Sequence, residues 1–198
     1  MKHLITSFLL IILLGKCAFS QTIPTRIIVG GGPSLNGSGD LSGYIALNEI
    51  NVNIGKRFFL SPGFYFSNHS QRYQFPNFEF RHVIAGINVF TNINVLFLNN
   101  KHHSIAFGAG PVLRIQNESA PSNLGEQLGR TGQREVFYIY QPSPTTTFGY
   151  NVAPAYYYKL SRKLSLGAKF ILQNDTEGNI ITSEMLFVGV NLIRQRKF

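Results

Sequence analysis

TTFGYNVAPAYYYKLSRKLSLGAKFILQN, residues 146–174, decides the fold. Its first half alternates, with Phe148, Tyr150, Val152, Pro154, Tyr156 and Tyr158 on one face and Gly149, Asn151, Ala153, Ala155 and Tyr157 on the other. A period of two is that of a β-strand, because successive side chains of an extended chain point to opposite sides. After Leu160-Ser161-Arg162 the alternation resumes, with Leu164, Leu166, Ala168, Phe170 and Leu172 set against Ser165, Gly167, Lys169, Ile171 and Gln173. The stretch reads as an antiparallel hairpin with long arms. At ~3.3 Å per residue, the arm from Thr146 to Tyr158 extends roughly 43 Å, and a ~40° tilt leaves about 33 Å of height. That is enough to cross a bilayer, whereas strands of soluble sheets have about 5–6 residues.

Residues 1–20 have the form of a cleaved export signal. Lys2 and His3 precede an apolar run from Leu4 to Leu14, and Ala18-Phe19-Ser20 is a small-x-small cleavage site. The run is too short for a membrane-spanning helix, which needs about 20 residues. Lys16 stands where a lipoprotein signal ahead of Cys17 requires a small residue. The mature chain is therefore expected to be 21–198, one domain, without the single cysteine and so without a disulfide or thiol chemistry. Losing Lys2 and Lys16 takes the formal charge from +9 to +7 (9 − 2). In an exported chain that basic balance points away from nucleic acid and towards anionic neighbours, namely outer-membrane lipids and lipopolysaccharide. The 17 Phe and 9 Tyr suit a sheet with one greasy face.

Six further strands are expected around the hairpin. They cover Thr25–Pro33, Tyr44–Ile54, Arg57–Ser67, about Phe80–Phe97, Ser104–Ile115 and Ile180–Ile193. Pro62 predicts a bulge or local break in the third strand, since proline cannot donate to a ladder. The connections are expected to alternate, long at 35–43, 68–78 and 116–145, short at 55–56, 99–102 and 160–162, with 175–179 closing the series. Within the longest, Val136–Tyr140 is a candidate extension of the sheet. An even number of strands with short turns on one side and longer loops on the other is the pattern of transmembrane barrels, and it puts both termini in the periplasm. The fold class is all-β: an eight-stranded antiparallel up-and-down transmembrane β-barrel. A closed sheet satisfies its own backbone in lipid. The face opposite the bulky stripe reads as Gly, Ala, Ser, Asn and a few charges. A secreted, lipocalin-like soluble barrel would reverse the faces and remains a second architecture. Replacing Leu166 by arginine tests the choice, if that side chain meets midplane lipid.

The phrases RFFLSPGFYFS (57–67), IAFGAGPVL (105–113) and VGVNL (188–192), with a terminal Phe198, resemble the small outer-membrane β-barrel family of Bacteroidetes-type bacteria, which has the architecture of OmpA-like barrel domains. The resemblance covers essentially the whole mature chain. It implies delivery by the barrel assembly machinery, with Phe198 as the candidate assembly signal, although Arg194, Gln195, Arg196 and Lys197 interrupt the apolar alternation usual before such a residue.

Chemistry is sparse. Eight strands enclose just enough room for side chains, so an open pore is not expected. Glu49 and Lys169 share the inferred lumen face, and because a lone buried charge is costly they are the candidate lumen charge pair, with separate hydration in a wet lumen as the alternative. His102 and His103, adjacent in a turn, point to opposite sides and read as solvated residues. Ser67, Ser70, His82 and Glu79 supply the residue types of a hydrolase without a motif, and His69 and His82 flank the second loop. The glycines at 37, 39 and 43 miss the spacing of a phosphate-binding loop. No catalytic residue, metal site or cofactor is expected. The function expected is a structural or surface-interaction role in the outer membrane with an unknown external partner; a small-solute channel is the alternative.

Overall fold

The computed structural model describes residues 25–37, 41–55, 57–75, 78–128 and 134–192. Eight strands, β1 (Thr25–Asn36), β2 (Leu41–Asn53), β3 (Phe58–Phe75), β4 (Phe78–Asn99), β5 (His103–Leu128), β6 (Arg134–Lys159), β7 (Leu164–Asp175) and β8 (Ile180–Leu192), close into one barrel in sequence order. All neighbours are antiparallel, and β1 closes the cylinder on β8. The opening hairpin is β6–β7, joined by a tight turn in which Leu160 N–H donates to Leu164 O at 3.0 Å. Both described termini lie at the end of the barrel carrying this turn and those at 54–57 and 100–102; this is the terminal end. The opposite end carries the β3–β4 and β5–β6 arms.

Those arms correct the reading of the connections. Residues 68–75 and 78–79 are paired strand, with Arg72 opposite Arg81 and Gln74 opposite Glu79. Residues 116–128 pair with 134–145 throughout, apart from one register shift near Pro121. The "long loops" are therefore mostly sheet, including Val136–Tyr140. Their Asn, Ser, Gln and Pro content reads as loop because no face of an arm standing clear of the barrel needs to be apolar. Backbone pairing, which does not depend on that face, carries the ladder on regardless. At the closing turn, Gly178 adopts φ of +79°, a conformation that glycine enters without steric cost, and its N–H donates to Asp175 O at 3.0 Å.

Pro62 breaks the ladder on one side only. On β2 the pairs jump from Glu49–Gly63 to Val52–Leu60 in unchanged register, while on β4 Pro62 sits opposite Thr91 in a continuous run. A missing N–H removes one bond without adding a residue, so no bulge forms.

The two faces divide as the alternation requires. Val29, Ile50, Phe64, Phe66, Val89, Ile93, Phe107, Phe148, Leu172, Leu186 and Val188 are all exposed on the outer wall. Inside, the lumen face is more apolar than its reading as Gly, Ala, Ser and Asn. Ile28, Leu47, Phe59, Tyr65, Phe90, Tyr157, Ile171, Met185 and Phe187 are buried there as one cluster. The cause is geometric, since residues from all eight strands converge on one axis, and even scattered large side chains fill it. Leu166 pairs with Tyr158, the last outward aromatic before the turn, and so lies at the terminal rim rather than at mid-height.

Candidate functional site

The lumen holds two ionic centres. The first is at mid-height: Lys169 on β7 donates to the Glu49 carboxylate on β2, and the two residues are 3% and 2% exposed. Below it, Ser61 Oγ donates to Asn51 Oδ1 at 2.6 Å and Asn94 Nδ2 to Ser61 Oγ at 2.7 Å, while Asn51 Nδ2 reaches the Tyr157 hydroxyl at 3.4 Å. The Arg26 guanidinium lies 4.9 Å over the Tyr157 ring and donates to Asn191 Oδ1 at 2.9 Å, lining the terminal mouth.

The second centre is at the arm end. Arg114 Nη1 donates to Asp175 Oδ2 at 3.0 Å, with neither side chain more than 1% exposed, and Thr147 Oγ1 joins that oxygen at 3.3 Å. The other carboxylate oxygen accepts the backbone N–H groups of Glu177 and Asn179 at 3.1 and 3.0 Å, tying the ion pair to the β7–β8 turn. Between the centres, Tyr65 donates to Gln173, Gln173 Nε2 to Asn88 Oδ1 at 3.1 Å and Asn88 Nδ2 to Ser67 Oγ at 3.2 Å. His69 Nε2 is 2.8 Å from Ser34 Oγ, itself 2.7 Å from Ser183 Oγ.

Asp175 and His69 escaped the sequence reading because both were placed in loops. Parity marks them: Asp175 continues the file Lys169, Ile171, Gln173, and His69 continues Tyr65, Ser67. The hydrolase types do not come together. Ser67 faces the lumen, His82 Nε2 is 2.8 Å from Glu118 Oε1, Glu79 pairs with Arg72 at 3.0 Å, and Ser70 accepts from Arg81 at 2.9 Å. His102 stacks on Tyr158, and His103 Nδ1 bonds the Tyr156 hydroxyl at 2.7 Å. Among the described residues no three His, Cys, Asp or Glu side chains group as metal ligands. Phe198, the basic tail and residues 1–20 lie outside the described residues.

A closed sheet with two buried ion pairs among apolar side chains inside and a largely apolar exterior defines the class: the protein is an eight-stranded antiparallel transmembrane β-barrel. Known structures agree on that fold. Neisserial surface protein A superposes with a TM-score of 0.55 at 11% identity, over 87% of this chain and 98% of that one. Ail, the attachment invasion locus protein of Yersinia pestis, solved with the heparin analogue sucrose octasulfate, gives 0.52 at 10% identity over 87% and 100%. The N-terminal barrel domain of Pseudomonas aeruginosa OprF gives 0.52 at 10% over 85% and 97%. No family model and no curated protein matches the chain.

Proposed function

We propose that the protein is an integral outer-membrane barrel whose role is structural or surface-interacting, with both termini in the periplasm and the arms outside. The arms carry this reading. β5 and β6 have 26 residues each, against 12 and 13 for β7 and β8. At ~3.3 Å per residue and ~40° of tilt, 26 residues reach about 65 Å and 13 about 33 Å, so roughly 30 Å of paired sheet stands beyond the membrane. The outward faces of Asn117, Ser119 and Pro144 in the arm bear none of the apolar stripe below them, as a water-exposed element requires. The lumen, crossed by two buried ion pairs and an apolar cluster, supports a barrel that does not conduct. Lipid and lipopolysaccharide then surround the belt, and the barrel assembly machinery inserts it through Phe198.

An epitope inserted between Arg130 and Thr131 tests the placement. On intact cells it is expected to bind antibody without permeabilisation, and labelling only after permeabilisation refutes the orientation. Steady single-channel conductance in planar bilayers would reject the closed lumen in favour of a channel.

A further inference from the structure

The outward positions of β8 run Ile180, Thr182, Glu184, Leu186, Val188, Val190, Leu192. A carboxylate stands in a file of otherwise apolar or weakly polar side chains. Glu184 is exposed on the outer wall, and its side chain has no hydrogen-bond or ion-pair partner among the described residues. Its neighbour on β7 is Phe170. On the other side is the seam where the barrel closes, and there the β1–β8 ladder skips Gly32 and Pro33, resuming at Ser34–Ser183. Around this point the wall is hollow. An open groove of about 700 Å³ runs past Gly31, Pro33, Pro154 and Ala168 between the banks of Phe170 and Leu186. A second hollow of about 270 Å³ shares Pro33, Phe170 and Glu184 and continues past Leu35 towards the arm end. The hollowing comes from small or ring-closed side chains at successive outward positions of neighbouring strands.

An ionisable side chain at membrane depth is costly, and such residues mark sites with a partner. Of the polar residues lining the groove, Lys169 is paired with Glu49 in the lumen and the Tyr156 hydroxyl with His103, which leaves Glu184 as its one unpaired charge among the described residues; the groove opens on the belt and lies within the roughly 300–1,000 Å³ of small-molecule sites. We propose that it binds one membrane lipid with a primary-ammonium head group, a hydrocarbon chain lying in the groove and the ammonium paired with Glu184. Charge complementarity selects the cation, and the apolar walls select an amphiphile. Glu184 lies nearer Ile180 than Leu192, in the half of the belt towards the arm end. A second copy of the chain does not fit. Its exposed cations among the described residues, Arg72 and Arg81 in the arms and Arg57, Lys101, Arg162 and Lys163 at the turns, are all remote from this depth. The proposal rests on the transmembrane belt, not on the surface role of the arms.

Native mass spectrometry of the detergent-purified full-length protein, titrated with phosphatidylethanolamine and separately with phosphatidylglycerol, tests it. Wild type is expected to retain phosphatidylethanolamine about tenfold better, equivalent to 1.4 kcal/mol. Glu184→Gln should remove that preference and Glu184→Asp should keep it. Ala168→Phe, which fills the groove and leaves the carboxylate, should lower occupancy by phosphatidylethanolamine. Heat-modifiable migration on a gel verifies that each variant is folded, and Glu184→Gln removes a charge from the lipid face, so it is not expected to impair folding. Equal retention of the two lipids by wild type, an unchanged preference in Glu184→Gln, or a dimer that Glu184→Gln abolishes would each overturn the proposal. None of these would bear on epitope exposure.

Discussion

Replacing Glu49 by glutamine removes one charge from the mid-height pair and almost none of its volume. Among the described residues Lys169 has no hydrogen-bond partner other than this carboxylate, and it is 3% exposed. Breaking a buried pair from one side typically costs about 3–5 kcal/mol, because the surviving charge is left uncompensated. Glutamine still offers a neutral acceptor worth about 1 kcal/mol. The expected loss is thus about 2–4 kcal/mol. The double replacement Glu49→Leu with Lys169→Met removes both charges and keeps comparable volume, so it should lie within about 1 kcal/mol of wild type or above it. Reversible urea unfolding of the refolded barrel in lipid vesicles, read by tyrosine fluorescence and by heat-modifiable migration, gives both values. If Glu49→Gln unfolds at the wild-type midpoint with an unchanged slope, the two charges are separately hydrated and the argument fails.

At the arm end, Asp175→Asn should cost about 3–5 kcal/mol by stranding Arg114, whose Nε and Nη2 are already buried without partners among the described residues. It should also loosen the β7–β8 turn, visible as faster proteolysis between Thr176 and Asn179. Val29, outward and 54% exposed midway along β1, should lose about 2–4 kcal/mol on replacement by arginine, while Phe97→Arg at the terminal rim should lose about 0–1. Equal costs at the two positions would mean that the apolar wall does not face lipid. Deleting Phe198 should lower the fraction of heat-modifiable barrel in the outer membrane several-fold, and undiminished assembly would remove its assigned role.

The hairpin of 146–174 was legible because its evidence is local. Parity needs only neighbouring residues, and it assigned Phe148, Tyr150 and Leu172 outward and Asn151, Lys169 and Gln173 inward. Composition misled where parity was not followed through. Reading Asn68–Asn77 and Gln116–Thr145 as loops hid His69 inside β3 and most of two arms. Glu184 lies two residues before Leu186 in the outward file of β8, where the same alternation reaches it. The lumen's apolar cluster was missed for another reason: Ile45, Leu47, Phe90 and Phe187 interrupt the small-and-polar pattern one at a time, and only closure gathers them.

By itself the sequence determined the number of strands, their order and, within each strand it marked, which residues share a face, because a period of two is set by the geometry of a single extended chain. The tertiary structure decided which inward residues meet. Glu49 and Lys169 are 120 positions apart, on strands separated in the wall by β8 and β1. Their contact depends on how far each strand is staggered against the next around the cylinder. That stagger is the sum of eight pairings, which no single strand encodes. The same closure set Pro33 beside Glu184 across the seam of the first and last strands, where the missing N–H and the small side chains leave the wall open.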